Sequence, residues 1–335
     1  MQKRAAGVAA RFAFLLALTT LLSACVVRGP FIPANLAPGA RASVELGATP
    51  FFPQKKYQCG PAALASVLVA SDVVTTPDAL TPVVYIPGRK GSLQVEMQAA
   101  PRKFGRLSYL LSPNMDSILA EINAGRPVLV LHNYGLPMLP KWHYAVVIGY
   151  DSARDRFILR SGLKQRDEWR VRTFMVAWHQ AHRWAMVVLR PGEIPVIADP
   201  RLYLQSAADF EHGASPEDAL LVFDAAVKRW PSEAVAWIGR GTAQYRAGKL
   251  AEASQDYAAA LRVDGSNAGA RNNLAQTLLE QGCPRHAREQ LESIDLAKLQ
   301  APLREAVADT RFHVDAAVAQ TTADNPACAT PVSGS

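Results

Sequence analysis

Three residues of this 335-residue chain could act together on a carbonyl group: Gln54, Cys59 and His143. A thiolate is a strong nucleophile, an imidazole can take its proton and return it to a leaving group, and a carboxamide can donate to an oxyanion. Cys59 lies in Phe51-Phe-Pro-Gln54-Lys-Lys-Tyr-Gln-Cys59-Gly-Pro-Ala-Ala-Leu-Ala-Ser-Val-Leu68. Leu64, Val67 and Leu68 follow helical spacing, so a helix should start just after Cys59. Pro61 suits its first turn, where the missing N–H costs nothing. The positive end of that helix favours thiolate at Cys59. Gly60 is expected to let a substrate backbone approach.

These side chains need a scaffold to bring them together. Met115–Ala124 reads as a helix with Asp116 near its N-cap and Ile118, Leu119 and Ile122 facing inward, stopped by Gly125. Val128–Leu131, His143–Tyr150, Arg156–Arg160 and Ala185–Leu189 read as strands, with a turn at Asp151–Asp155. A helix followed by antiparallel strands gives an α+β domain. His132 and Asn133 should support the loop after the first strand, and His179 and His182, with Trp178 and Trp184, read as packing. No cluster has zinc spacing and no Gly-rich phosphate loop occurs, so neither metal nor cofactor is expected.

Gln54 ahead of Cys59-Gly60-Pro61-Ala62, and His143 opening an apolar strand that ends Gly149-Tyr150, resemble the papain-like cysteine peptidases of the bacteriocin-processing (double-glycine) family and its lipoprotein relatives. The resemblance covers about 48–192. It implies that Cys59 attacks a scissile carbonyl, that His143 moves the proton, and that Gln54 and the Cys59 N–H form the oxyanion hole. The family's histidine is usually oriented by an Asp on the next strand, and here the chain departs from the pattern. A hairpin centred near Ala153 puts Arg160–Leu163 opposite His143, and no carboxylate occurs there. Asp151 is about 26 Å along the same strand at roughly 3.3 Å per residue. Ser161 falls where the Asp is expected and is the candidate orienter.

Composition divides the chain. Residues 48–195 carry 18 Lys and Arg against 10 Asp and Glu, a net +8; residues 196–335 carry 13 against 18, a net −5. The change falls at Arg190-Pro-Gly-Glu-Ile-Pro195, a linker signal. Opposite charges would let the halves dock, or let the first lie on an anionic surface. No dense basic stripe appears, so nucleic acid is not an expected partner. In the second half Ala219, Ala253 and Ala287 are spaced 34 apart, as are Phe223, Tyr257 and Leu291, and Ala226 and Ala260. With Trp237, Gly241 and Gly248 this resembles the tetratricopeptide repeat, a helix–turn–helix unit that binds peptides or proteins. Three repeats are placed at about 201–231, 235–265 and 268–298, with Leu303–Ala317 as a cap.

At the start, Met1–Arg11 carries cations and Phe12–Leu22 is apolar but too short to span a membrane. Leu22-Ser-Ala-Cys25 resembles a bacterial lipoprotein signal, which implies acylation of Cys25 and, with Val26 following, an outer-membrane, periplasm-facing location. In an oxidising compartment Cys283 and Cys328 could pair, or could remain independent thiols.

The expected organisation is a signal peptide (1–24), a flexible tether (25–47), an α+β papain-like cysteine peptidase domain (48–195), an all-α tetratricopeptide-repeat domain (196–317) and a disordered tail (318–335). The expected function is a membrane-anchored thiol peptidase acting on a peptide or protein, with the repeats recruiting a protein partner. The alternatives are a catalytically impaired peptide-binding scaffold and transfer of the acyl group to an acceptor other than water.

Overall fold

A computed structural model describes residues 41–321 together with 323, 325 and 328. The signal segment, the lipidation candidate Cys25 and the tether up to residue 40 lie outside the described residues. Among the described residues, seven strands form one antiparallel sheet: β1 (Ser43–Glu45), β2 (Leu107–Leu110), β3 (Val128–Asn133), β4 (Trp142–Asp151), β5 (Arg156–Ser161), β6 (Lys164–Arg170) and β7 (Ala185–Leu189). The order is β2-β7-β3-β4-β5-β6, and β1 also pairs with the far end of β4.

Strand alternation sends successive side chains to opposite faces. Tyr144, Val146 and Ile148 of β4 pack with Leu129, Leu131, Met186 and Val188 beneath the helix α1 (Cys59–Ala70). Ala145 and Val147 face the other way, with Val128, Val130 and Val187, towards the helices α4 (Met115–Asn123) and α5 (Val171–His179). Both faces are covered, which is why β3 and β4 read as unbroken apolar runs rather than as alternation. The shorter helices α2 (Pro77–Val84) and α3 (Gln94–Ala99) complete the α1 side. Asn114 caps α4, Asp116 lies in its first turn near the cap, and Gly125 follows the helix at φ +83°.

Among the described residues the second half has seven α-helices: α6 (Pro200–Glu211), α7 (Pro216–Arg229), α8 (Ala234–Arg246), α9 (Leu250–Val263), α10 (Ala268–Glu280), α11 (Pro284–Glu292) and α12 (Ala301–Gln320). They pair as α6–α7, α8–α9 and α10–α11, the repeat spacing read from the sequence. Ala219, Ala253 and Ala287 are fully buried, and Phe223, Tyr257 and Leu291 nearly so. Arg240 on α8 clasps adjacent helices, donating to both Asp256 oxygens (2.6 and 2.9 Å) and to Asp224 (3.3 Å) while its guanidinium lies over Trp237.

Several boundaries differ from the sequence reading. The expected tether already contains β1, whose Ser43–Glu45 pair with Asp151–Gly149, because the β4 edge beyond β3 needs a partner. β2 and β6 were not foreseen: β2 is short, and β6 is charged and exposed on an edge, so neither carries a strong pattern. The Pro/Gly segment at 190–195 is not a free hinge. The buried Glu121 carboxylate accepts from Val196 N–H (2.7 Å) and from Arg126 (2.5 Å), the Tyr109 hydroxyl accepts from Asp199 N–H (2.9 Å), and Tyr203 and Phe210 of α6 join the core beneath the sheet. The two halves therefore share one continuous core. The tail is also more ordered than expected where it is described: α12 reaches Gln320, Asn325 N–H donates to the Gly282 carbonyl (3.0 Å), and Cys328 is bonded to Cys283 (Cα–Cα 5.8 Å).

Candidate active site

α1 begins at Cys59 itself. Its twelve residues are apolar on every side and nine are buried, so the helix is held by the core all round. Gly60 is buried, and a Cβ there would meet Ser92 Oγ at 2.4 Å and Ser92 Cβ at 2.7 Å. Packing against Ser92 and Met97 is therefore one reason for a glycine here, beyond the substrate approach expected from the sequence.

Cys59 is half-buried and is the free thiol among the described residues. The backbone N–H groups of Tyr144, Gly60 and Cys59 favour its thiolate, but burial outweighs them and pushes the thiol up from its ordinary value. The N–H groups at the helix start act in the direction the sequence argument expects, and burial outweighs them. The Tyr144 N–H places the sulfur beside the peptide that joins His143 to Tyr144. Cys59, Gln54, Tyr144, Arg160, Ser161 and Gly162 line a recess with about 10 Å³ of free space, the room of about one water.

Ser161 Oγ lies 3.0 Å from the His143 imidazole Nε2. Alternation along β5 places Ser161 on the face of Phe157 and Leu159 and turns Arg160 to the opposite one. If Nε2–H donates to Ser161, Nδ1 carries no proton; among the described residues no hydrogen bond joins the Cys59 sulfur to His143, and His143 is not among the residues lining the recess. Burial holds His143 neutral, with its pKa lowered to about 4, while the Asp167 carboxylate on β6 acts in the opposite sense. Burial thus favours the neutral form of both the thiol and the imidazole.

Gln54 is fixed through its backbone, whose N–H donates to the Gly162 carbonyl (3.2 Å). The approach to it is fixed by the buried Arg160, which donates to the Gly47 (2.9 Å) and Thr49 (3.0 and 3.1 Å) carbonyls and to the Gln165 carbonyl. Behind His143 lies an aromatic layer the sequence did not reveal. The Tyr134 ring is 5.0 Å from the His143 ring and 5.3 Å from Trp169, whose indole N–H donates to Asp167 (2.8 Å). His132 is sealed in this layer, stacked on Trp169 at 5.3 Å and edge-on to Phe174 at 4.8 Å, and burial lowers its pKa to about 3. Its partner across β3–β4 is His143, so the loop-support expectation for His132 gives way to a place directly behind the site. Asp167 was missed because Lys164-Gln-Arg-Asp-Glu-Trp-Arg170 looks like a solvated loop; Trp169 in the middle of it was the available signal. His179 and His182 lie outside this assembly.

No group of three or more metal-ligating side chains occurs among the described residues. Residues 47–186 match the Peptidase_C39-like family model. That segment contains Gln54, Cys59, His143 and Ser161. Solved structures similar to the chain include a C39-like peptidase from Bacillus anthracis (17% identity, 44% of this chain and 98% of that one, TM-score 0.38). Another is the peptidase domain of Streptococcus ComA, a bi-functional ABC transporter of a quorum-sensing pathway (19%, 42% and 98%, TM-score 0.34). A third is the type III secretion chaperone SycD of Yersinia enterocolitica in complex with a peptide of the translocator YopD (19%, 37% and 98%, TM-score 0.33). No curated protein matches the chain. The C39-like α+β domain is thus followed by an all-helical repeat domain.

Proposed function

We propose that the C39-like domain is a thiol peptidase in which Cys59 is the nucleophile, His143 the proton carrier, Gln54 with the Cys59 N–H the oxyanion hole, and Ser161 the orienter. The supporting observation is the 3.0 Å contact between His143 Nε2 and Ser161 Oγ on a histidine whose next peptide N–H faces the Cys59 sulfur. As the Cys59 thiol attacks the scissile carbonyl, its proton passes to His143 Nδ1 and the carbonyl oxygen becomes an oxyanion. Collapse transfers the His143 proton to the departing amine and leaves a thioester. Water then attacks the thioester, gives its proton to His143, and releases the acid and the thiol. A donor in the oxyanion hole contributes about 3–4 kcal/mol at the transition state.

Burial disfavours both the thiolate and the imidazolium, so little of the reactive ion pair is present at rest. This, with Ser161 in place of a carboxylate, favours one second reading: a domain that holds a peptide and turns it over slowly or not at all. The repeats are proposed to recruit a protein or peptide partner. Cys25 is proposed to anchor the chain in the periplasmic leaflet of an outer membrane.

The test is product analysis by mass spectrometry with a mixed peptide library, comparing the wild-type chain with Cys59→Ala. Cleavage by the wild type alone supports the peptidase. Binding of the same peptides by both, with cleavage by neither, supports the scaffold. Peptides joined to a new amine would point to acyl transfer.

A further inference from the structure

The hairpin joining β3 to β4, Tyr134-Gly-Leu-Pro-Met-Leu-Pro-Lys-Trp142, presents apolar side chains to solvent beside the candidate site. Leu136 is 68% exposed, Met138 92% and Leu139 73%, with Tyr134 (43%) and Trp142 (50%) at the two bases. The exposure is built in rather than left by a loose loop. The buried Asn133 carboxamide oxygen accepts from both Gly135 N–H and Lys141 N–H at 2.9 Å, and Tyr134 N–H donates to the Lys141 carbonyl (3.0 Å). A Cβ at Gly135 would lie 2.1 Å from the Leu139 carbonyl oxygen, so the turn closes only with glycine.

The order of chemistry along the hairpin matters. The tip is aliphatic, the bases are amphipathic aromatics, and Lys141 stands at the lower edge. Beside it a groove of about 400 Å³ is lined by Tyr134, Arg172, Thr173 and Val176, with Arg172 exposed. Residues 122–150 contain no Asp or Glu, and the surrounding 48–195 carries a net +8. Aromatic side chains with a wet end and an apolar end settle at membrane–water interfaces, while cations meet the phosphates. The hairpin itself carries no acid, and the Asp167 carboxylate near its Tyr134 base is held by the Trp169 indole N–H (2.8 Å); an apolar tip flanked by Lys141 and Arg172 fits an anionic bilayer surface better than a groove on an acidic protein.

We propose that the Tyr134–Trp142 hairpin inserts its tip into an anionic phospholipid surface, so that the recess around Cys59 works at the membrane. The insertion itself does not depend on the peptidase reading; only its consequence for substrate, a peptide segment close to the bilayer, rests on it. If Cys25 is acylated, the 15 residues at 26–40 can extend about 50 Å, enough for the hairpin to reach the same bilayer. A single weak insertion would then add to the anchor as a second attachment.

The test is co-sedimentation of the unacylated chain beginning at residue 26 with vesicles of phosphatidylethanolamine and phosphatidylglycerol (3:1), and with phosphatidylcholine alone. The wild type should partition onto the anionic vesicles. The triple variant Leu136→Ser, Met138→Ser, Leu139→Ser should lose at least tenfold. Phe312→Ser, which removes an exposed ring on α12, and Cys59→Ala should both bind as the wild type does. Matching circular dichroism of all variants controls for folding, since the changed side chains are exposed. Equal partitioning of the triple variant, or no partitioning of the wild type, would overturn the proposal. The same holds if the triple variant loses only peptide cleavage, which would make the tip a peptide contact.

Discussion

Two buried polar sites, one in each half, are satisfied differently: the Arg240–Asp256 clasp in the repeats and the layer around His132 behind the candidate site. In the repeats the buried Asp256 is fully answered: both of its oxygens accept from Arg240, which also reaches Asp224 and covers Trp237. Behind the candidate site, His132 is completely buried with neither ring nitrogen hydrogen-bonded, and Cys59 and His143 are both held away from their charged forms. A structural polar group is paired because an unpaired one costs stability. The unpaired His132 ring and the buried Cys59 and His143 cost stability locally, next to where the chemistry is proposed.

This contrast can be broken or sharpened by substitution, and the largest effect belongs to the nucleophile. Cys59→Ala should reduce peptide hydrolysis by at least about 10⁴-fold, the scale seen when a nucleophile is removed, with thermal stability unchanged within about 1 kcal/mol. In the repeats, Arg240→Ala should cost about 3–5 kcal/mol, because Asp256 is left buried without its cation; urea unfolding measures this, and hydrolysis per folded molecule should not change. A loss below about 1 kcal/mol would mean that the clasp is not structural. Acid should act on the sheet half. His143 and His132 are lowered to about 4 and about 3 from 6.5, so the unfolded chain takes up protons first. Stability is therefore retained above pH 6.5 and falls as pH drops from 6.5 towards 3, by about 3 kcal/mol for His143 alone at about 1.4 kcal/mol per pH unit. His132→Phe should flatten part of that decline in a pH series of melting curves. The smallest effect is expected from the orienter: Ser161→Ala should slow hydrolysis about 10- to 100-fold, mostly in kcat, and Ser161→Asp should raise the pH at which His143 titrates by NMR. An unchanged kcat in Ser161→Ala would remove Ser161 from the machinery.

Legibility also differed between the halves, for a physical reason. A repeat writes its core into the sequence at fixed spacing, and every period-34 position from Ala219 to Leu291 is buried. A site assembled across a sheet has no such period. Cys59 and His143 could be found because each sits at the end of an apolar element, and Ser161 followed from counting around one hairpin. Arg160 and Asp167 could not. One is a cation inside an apolar strand that pins the segment before Gln54, and the other is a carboxylate on a charged edge strand that looks like loop. The shared core was hidden for a related reason. Pro191, Gly192 and Pro195 signal a break in secondary structure, but they say nothing about Glu121 holding Val196 or about Phe210 packing beneath the sheet.

The claim that Cys59 passes its proton to His143 is tested most directly, and without any substrate, by the rate of iodoacetamide alkylation at Cys59 against pH. The unacylated chain beginning at residue 26 should be used, with Cys283 and Cys328 kept in their disulfide. The account predicts labelling of the native protein at a rate that climbs with pH beyond the ordinary thiol range, and at least a tenfold slower rate at neutral pH in His143→Ala. Labelling that requires denaturant, or the same rate with and without the imidazole, would contradict it.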